Sequence, residues 1–529
     1  MLTKLLTAAM LVVFFAVMVV IGIRCRRHAT DVNSFVLGGR SVGPWLTAFA
    51  FGTSYFSAVI FVGYAGQFGW NFGLASTWIG LGNAFIGSLL PWVVLGRRTR
   101  LMTQQLESRT MPDFFAKRFN APYLKTAASF IVFVFLIPYT ASLYNGLSSL
   151  FNIAFDIPYW VVILVMSVLT GLYVIFGGYM ATAINDFIQG IIMLVGIVSV
   201  VAAVLVANGG LGEATAKLSQ IASPYAESAS SAGAFTSFFG TQPMFLLIVV
   251  LLTSLGTWGL PQMVGKFYSI KNEEAVKKGT VISTVFAIIV AGGCYFIGGF
   301  ARLYSDSPSI YSANGSVMYD SIIPTMLSKM PALIVAVVIV LVLAASMSTL
   351  SSLVLTSAST ITLDVVLAKR EVSEKKKVLI MRLFIVFFIA VSAVIAYLKD
   401  TYNFSMIAQM MGVSWGALAG SFLAPFLYGL YSKRTSAASV ITSFVFGVGM
   451  TVVMLLKSLG AIALPADGFI GFVFKTSLHC GVFAMIGGLI LVPLVSLFTK
   501  KPDRARVDEI FSCYDKTVEV SVTDSIGNN

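Results

Sequence analysis

The hydrophobic positions of this chain gather into long unbroken runs, not into alternating or striped patterns. About thirteen such runs, parted by short charged clusters, lie at approximately 3–23, 45–70, 74–96, 124–153, 158–177, 183–208, 244–267, 279–304, 331–363, 378–398, 405–430, 436–459 and 470–498. A helix needs roughly 20 apolar residues to cross a hydrocarbon core about 30 Å thick. Barrel strands would instead alternate every second residue over about ten. The pattern predicts an all-α membrane protein with about thirteen transmembrane helices.

Two runs are interrupted. The second carries Gly52, Gly63, Gly66 and Gly69 around a polar centre, Thr53-Ser54-Tyr55-Phe56-Ser57, and the seventh carries Gly256, Gly259 and Pro261 around Thr257-Trp258. They stand five segments apart, and an odd offset makes them cross in opposite directions, as an inverted five-plus-five repeat requires. Interrupted spans at matching places of two halves point to a transporter binding site, because unwinding frees carbonyls and half-helix ends to replace an ion's hydration. Glycines that merely let helices pack closely are the plainer alternative.

Composition sharpens the picture. Of 529 residues 57% are hydrophobic and 11% charged, against about 25% charged in soluble domains. The net charge of +13 could suggest a nucleic-acid partner, but 28 of the 35 Lys and Arg residues fall in alternate connecting segments. That bias is the positive-inside rule. It places the N-terminus outside and the C-terminus in the cytoplasm of a multi-pass cell-membrane protein whose surroundings are lipid, with no nucleic acid. The four cysteines have no metal-ligand or disulfide spacing. One transmembrane domain is expected over 1–498, with repeats at about 45–208 and 244–430, the first and the last two helices peripheral, and a poorly ordered cytoplasmic tail over 499–529. Met111–Phe119 has the pattern of a short amphipathic helix on the membrane face.

Chemistry must then reside among the helices. In the ninth run, Ala344 to Ser352, positions 345, 348, 349 and 352 share one helical face. That face offers neutral, hard oxygens of the kind Na⁺ takes, although Ser and Thr in membrane helices also bond to the carbonyl one turn back. Asp186 is the acid set deepest within a predicted span, which makes it a functional candidate by cost alone. Asp364 reads as a solvated end residue. No Arg or Lys is expected deep in a pocket-forming helix.

Three stretches, Gly38-Gly39-Arg40-Ser41-Val42-Gly43-Pro44, the Gly177-Gly178…Asp186…Gln189 run and Ala344 to Ser352, resemble the sodium/solute symporter family in order and separation. Its members carry proline, sugars, pantothenate, monocarboxylates or sialic acids. The resemblance implies a leucine-transporter-type fold. It also implies a sodium site made of the carbonyls of Thr53, Phe56 and Ala345 with the hydroxyls of Ser348 and Thr349. A second sodium site, present in some members, would use Asp186, Ser351 and Ser352. The chain departs from the proline carriers of the family at Tyr55, where they place an aspartate, and at Thr253 and Thr257, where they place aromatics. Ile184-Asn185 replaces the Trp-Thr that often precedes the aspartate.

The substrate pocket is expected beside the breaks, with Ser57, Phe61, Tyr139, Asn145, Thr257, Trp258 and Gln262 as candidates. The expected function is sodium-coupled import of a small neutral or zwitterionic solute such as proline by alternating access, in a monomer, with Na⁺ as coupling ion and no organic cofactor. Carriage of a monocarboxylate, pantothenate or a sugar is the alternative. A membrane enzyme would need a catalytic base, and the two histidines, His28 and His479, supply none in a suitable setting. A channel would need a filter sequence or charged ring, and neither appears.

Overall fold

The computed structural model describes residues 2–155, 157–224, 232–368, 370–402 and 407–515. Expectations for 225–231 of the long loop, for 405–406 and for 516–529 of the tail lie outside these residues. Among the described residues every regular element is helical, and the β-type contacts are two isolated bridges, Val42 with Ile270 and Tyr311 with Val317.

The principal helices are α1 (Leu2–Cys25), α2 (Pro44–Tyr55), α3 (Ala65–Phe72), α4 (Thr77–Ala84), α5 (Arg97–Gln105), α6 (Met111–Phe119), α7 (Pro122–Phe155), α8 (Tyr159–Ala207) and α9 (Pro243–Leu255). They continue as α10 (Pro261–Ser269), α11 (Glu273–Ala287), α12 (Ala332–Thr360), α13 (Glu374–Tyr402), α14 (Ile407–Tyr431), α15 (Ala437–Ser458), α16 (Ser477–Phe498) and α17 (Arg504–Phe511). Among the described residues ten helical runs are long and apolar enough to cross a membrane, and Pro243–Trp258 with Pro261–Ser269, bent by 40°, makes an eleventh. Two of the ten are double length, Val59–Gln105 with 47 residues and Tyr159–Ala207 with 49. At 1.5 Å per residue each is about 70 Å long, more than twice the hydrocarbon core. Each turns sharply at a glycine: Gly73 at φ 63°, ψ −142° and Gly178 at φ 56°, ψ −147°. These are backbone conformations that residues with a Cβ rarely adopt. A Cβ on Gly178 would also lie 2.8 Å from the Phe35 carbonyl oxygen.

α12 runs through the core of the bundle. It holds no charged residue, Gly or Pro, so it can be a long helix wrapped largely by others. Its apolar window is 78% buried and that of α14 89%, against 22% in α1 and 33% in α13. Peripheral helices turn their outer faces to the surroundings with Val12, Val13, Val195, Val198, Leu383, Phe387 and Val445 exposed, which is the apolar perimeter expected against lipid.

Polar contacts gather the connecting segments at two ends of the bundle. At one end Arg40 donates to the carbonyls of Tyr268, Thr103 and Ser108, Arg97 pairs with Glu273 at 2.8 Å, and the Val32 amide donates to Glu374. At the other, Trp78 donates to the Phe238 carbonyl, Arg302 to that of Trp70, and Asn208 to the Tyr304 hydroxyl.

Three expectations are corrected. α6 is a helix, capped at Thr110, but it does not lie on a membrane face. Phe114 and Phe115 are fully buried, with the Phe114 ring 4.9 Å from that of Phe426. The tail is ordered over 504–515: Val507, Ile510 and Phe511 of α17 are buried, and the Tyr514 hydroxyl donates to the Leu430 carbonyl. Asp364 is not solvated; it is 2% exposed and paired with Lys125 at 3.2 Å.

The Gly178 turn yields a direct check. Gly178→Ala should lower stability by about 1–3 kcal/mol from the backbone conformation alone, read as a depressed thermal midpoint in detergent. Ala at Gly449, where a Cβ would meet nothing within 4 Å, should leave the midpoint nearly unchanged.

Candidate functional site

The site begins where α2 stops. Phe56 leaves helical geometry at φ −82°, ψ 122°, and helix resumes after Ala58 in a wide-turned stretch, Val59–Tyr64, that leads into α3. The residues around this stop, Thr53 to Phe61, are buried. Backbone groups released in a dry core must find partners within the protein, and α12 provides them. The Ala58 amide donates to Ser346 Oγ at 3.3 Å. On the carbonyl side, Ser348 Oγ lies 3.1 Å from the Thr53 oxygen and 2.9 Å from that of Ala345. Thr349 Oγ1 lies 3.2, 3.3 and 3.1 Å from the carbonyl oxygens of Thr53, Phe56 and Ala345.

All five oxygens expected to form the first sodium site therefore meet at one point, on two separate pieces of chain. The donor set is neutral, hard and buried. Among the described residues no three His, Cys, Asp or Glu side chains converge, so nothing in this set selects a transition metal or a highly charged ion. The hydroxyl-to-carbonyl distances of 2.9–3.3 Å are hydrogen bonds. Oxygens at right angles on a cation about 2.3–2.6 Å away stand about 3.3–3.7 Å apart, which a slight opening of this cluster reaches. The residues present fit a small hard cation such as Na⁺.

One turn further along α12, Ser352 Oγ pairs with Ser54 Oγ at 2.8 Å and accepts from Lys266 Nζ at 2.9 Å. The same ammonium lies 3.6 Å from Asp186 Oδ2, and Asp186 is fully buried. Ser351 instead donates to the Ser348 carbonyl. Asp186 and Ser352 are thus brought together through a lysine. The expectation of no deep Lys or Arg is corrected: Lys266, on α10, is 3% exposed. In the sequence it falls one residue before the seventh run ends and reads as a loop charge. The apolar residues on both sides, Met263-Val264 and Phe267-Tyr268, were the available signal.

The pocket candidates divide. The Tyr139 hydroxyl lies within hydrogen-bonding reach of Ser57 and the Trp415 indole, although none of these three buried polar atoms closes a bond of full geometry. Tyr55 and Tyr139 flank Trp415 with ring centroids at 5.8 and 6.0 Å. Trp415, between Ser414 and Gly416 in α14, escaped sequence reasoning because an isolated Trp in an apolar run reads as packing. Phe61 packs on Phe56 with centroids 6.3 Å apart, and the Asn145 amide faces Met410 Sδ. Thr257 and Trp258 are turned away from this group, donating to the carbonyls of Gly87 and Ile86. Gln262 lines a separate cavity of about 50 Å³ with Tyr179, Lys266 and Ser352.

A helix interrupted at the centre of an all-helical membrane bundle, with its freed oxygens aimed at a neighbouring hydroxyl face, belongs to the architecture of secondary transporters. The chain belongs to the sodium:solute symporter family, whose model matches residues 35–447. It is 28% identical over 498 residues to the osmoregulated proline transporter OpuE of Bacillus subtilis, covering 93% of this chain and 95% of that protein. It is 26% identical over 517 residues to a sodium/proline symporter of Staphylococcus aureus, covering 94% and 93%. A Na⁺-coupled sialic acid symporter, solved in a substrate-bound outward-open state, superposes with a TM-score of 0.75 at 18% identity, covering 94% of this chain and 98% of that one. At that identity the likeness is one of fold. The chain is therefore a sodium-coupled solute carrier and not an enzyme.

Proposed function

We infer that this carrier imports proline, or a zwitterionic solute of similar size, with sodium bound by Thr53, Phe56, Ala345, Ser348 and Thr349. The observation that carries the reading is the meeting of those five oxygens at the α2 stop. An ion held there ties the end of α2 to α12. Its binding energy differs between conformations that close this contact and those that open it, which is what a coupling ion must supply. The solute is assigned to the unpartnered group of Ser57, Tyr139 and Trp415 next to the stop. Their hydroxyls and indole N–H can replace lost water, while the rings cover an aliphatic body. The positive end of the half-helix beginning at Ala58 favours the solute's carboxylate. The proline-carrier relatives support this choice, with Tyr55 marking a different ring of contacts around the solute.

Energy is sufficient. One Na⁺ crossing about 100 mV yields about 2.3 kcal/mol, and a tenfold gradient adds about 1.4 kcal/mol, enough together for several-hundred-fold accumulation. The architecture proposed is thirteen crossings, reached by dividing the two double-length runs at Gly73 and Gly178, with the inverted repeat over 45–208 and 244–430. The monomer is the working unit in the cell membrane, with residues 1–498 as the transport domain and the C-terminal segment cytoplasmic. The grouping of contacts at two ends supports the topology, since each joins segments that the charge distribution puts on one side.

Three outcomes are expected. In proteoliposomes, labelled proline uptake should saturate and should collapse when choline replaces Na⁺. A monocarboxylate, pantothenate or sugar carried in its place would move the substrate assignment, and sodium-independent uptake of every solute would remove the symport reading. Ser348→Ala and Thr349→Ala should each raise the Na⁺ concentration for half-maximal uptake by about tenfold or more, since hydrogen-bond-type contacts to a charge contribute about 1.5–3 kcal/mol; wild-type sodium dependence in the double variant would clear both residues of the role. For topology, the four native cysteines are buried, so single cysteines report cleanly. An impermeant maleimide from outside should label Phe238→Cys and Asn314→Cys but not Gln104→Cys or Ser373→Cys, all four positions being exposed.

A further inference from the structure

Asp186 and Ser352, two of the three groups expected to hold a second sodium ion, already face a lysine. Lys266 Nζ donates to Ser352 Oγ at 2.9 Å and stands 3.6 Å from Asp186 Oδ2. The face of the Tyr179 ring lies 5.3 Å from the same nitrogen. At 3.6 Å the Asp186 contact is longer than a full hydrogen bond, so the ammonium balances the buried carboxylate chiefly by charge, with lone pairs left open around it. Ser352 links the arrangement to the broken helix, because Ser54 both pairs with it and donates to the Ala50 carbonyl at 2.6 Å. Ser54 directly follows Thr53, whose carbonyl belongs to the first site.

A carboxyl buried this deeply stays ionised only beside a cation. A free ion and a lysine cannot both serve, since each would take oxygens from Asp186 and Ser352, and like charges a few ångströms apart repel strongly in a low-dielectric interior. We propose that Lys266 is a tethered cation standing in the place of a second sodium ion. The carrier then couples one Na⁺ per solute, and replacing Lys266 with a neutral side chain opens a second sodium site on Asp186, Ser351 and Ser352. The proposal rests on the symport reading above. It adds that the second cation stays attached to α10 throughout the cycle and crosses no potential.

Proteoliposomes with a tenfold inward Na⁺ gradient and the membrane potential clamped at zero provide the test. One coupled ion limits solute accumulation to about tenfold and two ions to about a hundredfold. Wild type is expected to stop near the first limit and Lys266→Ala to pass it towards the second. A hundredfold wild type, or a Lys266→Ala carrier that also stops at tenfold, overturns the proposal. Where the variant folds but does not turn over, sodium-dependent thermal unfolding in detergent gives the same answer. At saturating Na⁺, stability rises with the logarithm of concentration in proportion to the ions bound. The slope should double in Lys266→Ala and in the longer Lys266→Gln, and fall back in Lys266→Ala/Asp186→Asn. A lysine that only packs would shift the midpoint at every Na⁺ concentration and leave all slopes equal, and that result rejects the tethered cation. A wild type with no sodium slope and no sodium-driven accumulation rejects the symport reading itself, and this proposal with it.

Discussion

A helix that stops inside a membrane bundle releases backbone amides and carbonyls where no water can take them, and this structure is organised around one such stop at Phe56. Each unsatisfied group in that setting costs several kcal/mol. The chain meets the demand from a single neighbour, α12, which presents Ser346 to the freed Ala58 amide and Ser348 and Thr349 to the freed carbonyls. That arrangement requires α12 to be straight, uninterrupted and central, which its Ala, Val and Leu content allows. The same oxygens that satisfy the stop are the ones proposed to hold the coupling cation. On that proposal, structural need and transport chemistry fall on one set of atoms.

Charge inside the bundle follows a second rule: among the described residues, the buried carboxylates Asp113, Asp186 and Asp364 each face a lysine from another helix, Asp113 and Asp364 sharing Lys125. Asp186 of α8 faces Lys266 of α10, and Asp364, just beyond α12, pairs with Lys125 of α7. Removing one member of such a pair leaves an uncompensated charge, a loss of about 3–5 kcal/mol, whereas the intact pair adds little net stability. The pairs therefore act less as glue than as constraints on how helices sit together. Both lie on the side where the basic connecting segments gather. There, α6 and α17 close over the helix ends, and Arg98 is held between the rings of Tyr431 and Tyr514 at 4.0 and 4.5 Å.

Much of this was legible in advance. The apolar runs announced the spans, the Gly-rich polar centre at Thr53 to Ser57 announced the stop, and the spacing of Ser348 and Thr349 announced a hydroxyl face. The proposed sodium ligands came through the family resemblance, which supplied the pairing of two segments some 290 residues apart. What stayed hidden has a common cause. Lys266 and Asp364 were placed near helix ends, where a few residues of error in a boundary decide between solvent and core. Trp415, Ser346 and Ser54 look like ordinary residues of apolar helices until a partner on another helix gives them a role. Met111–Phe119 showed its amphipathic pattern plainly, yet the pattern could not say whether its apolar face meets lipid or the rings of Phe422 and Phe426.

By itself, then, the sequence determined what is local and periodic: helical class, approximate spans, the sidedness of charge, and the residues whose type suits a hard cation. Those follow from hydrophobic length, from the cost of moving Lys and Arg across a bilayer, and from helical spacing, and none needs knowledge of a distant segment. Tertiary structure alone decided which oxygens converge, which aromatic rings share the space beside the stop, and that an ammonium lies against Asp186 and Ser352. Each of these depends on distances between segments remote in the chain, and such distances are fixed only when the helices pack.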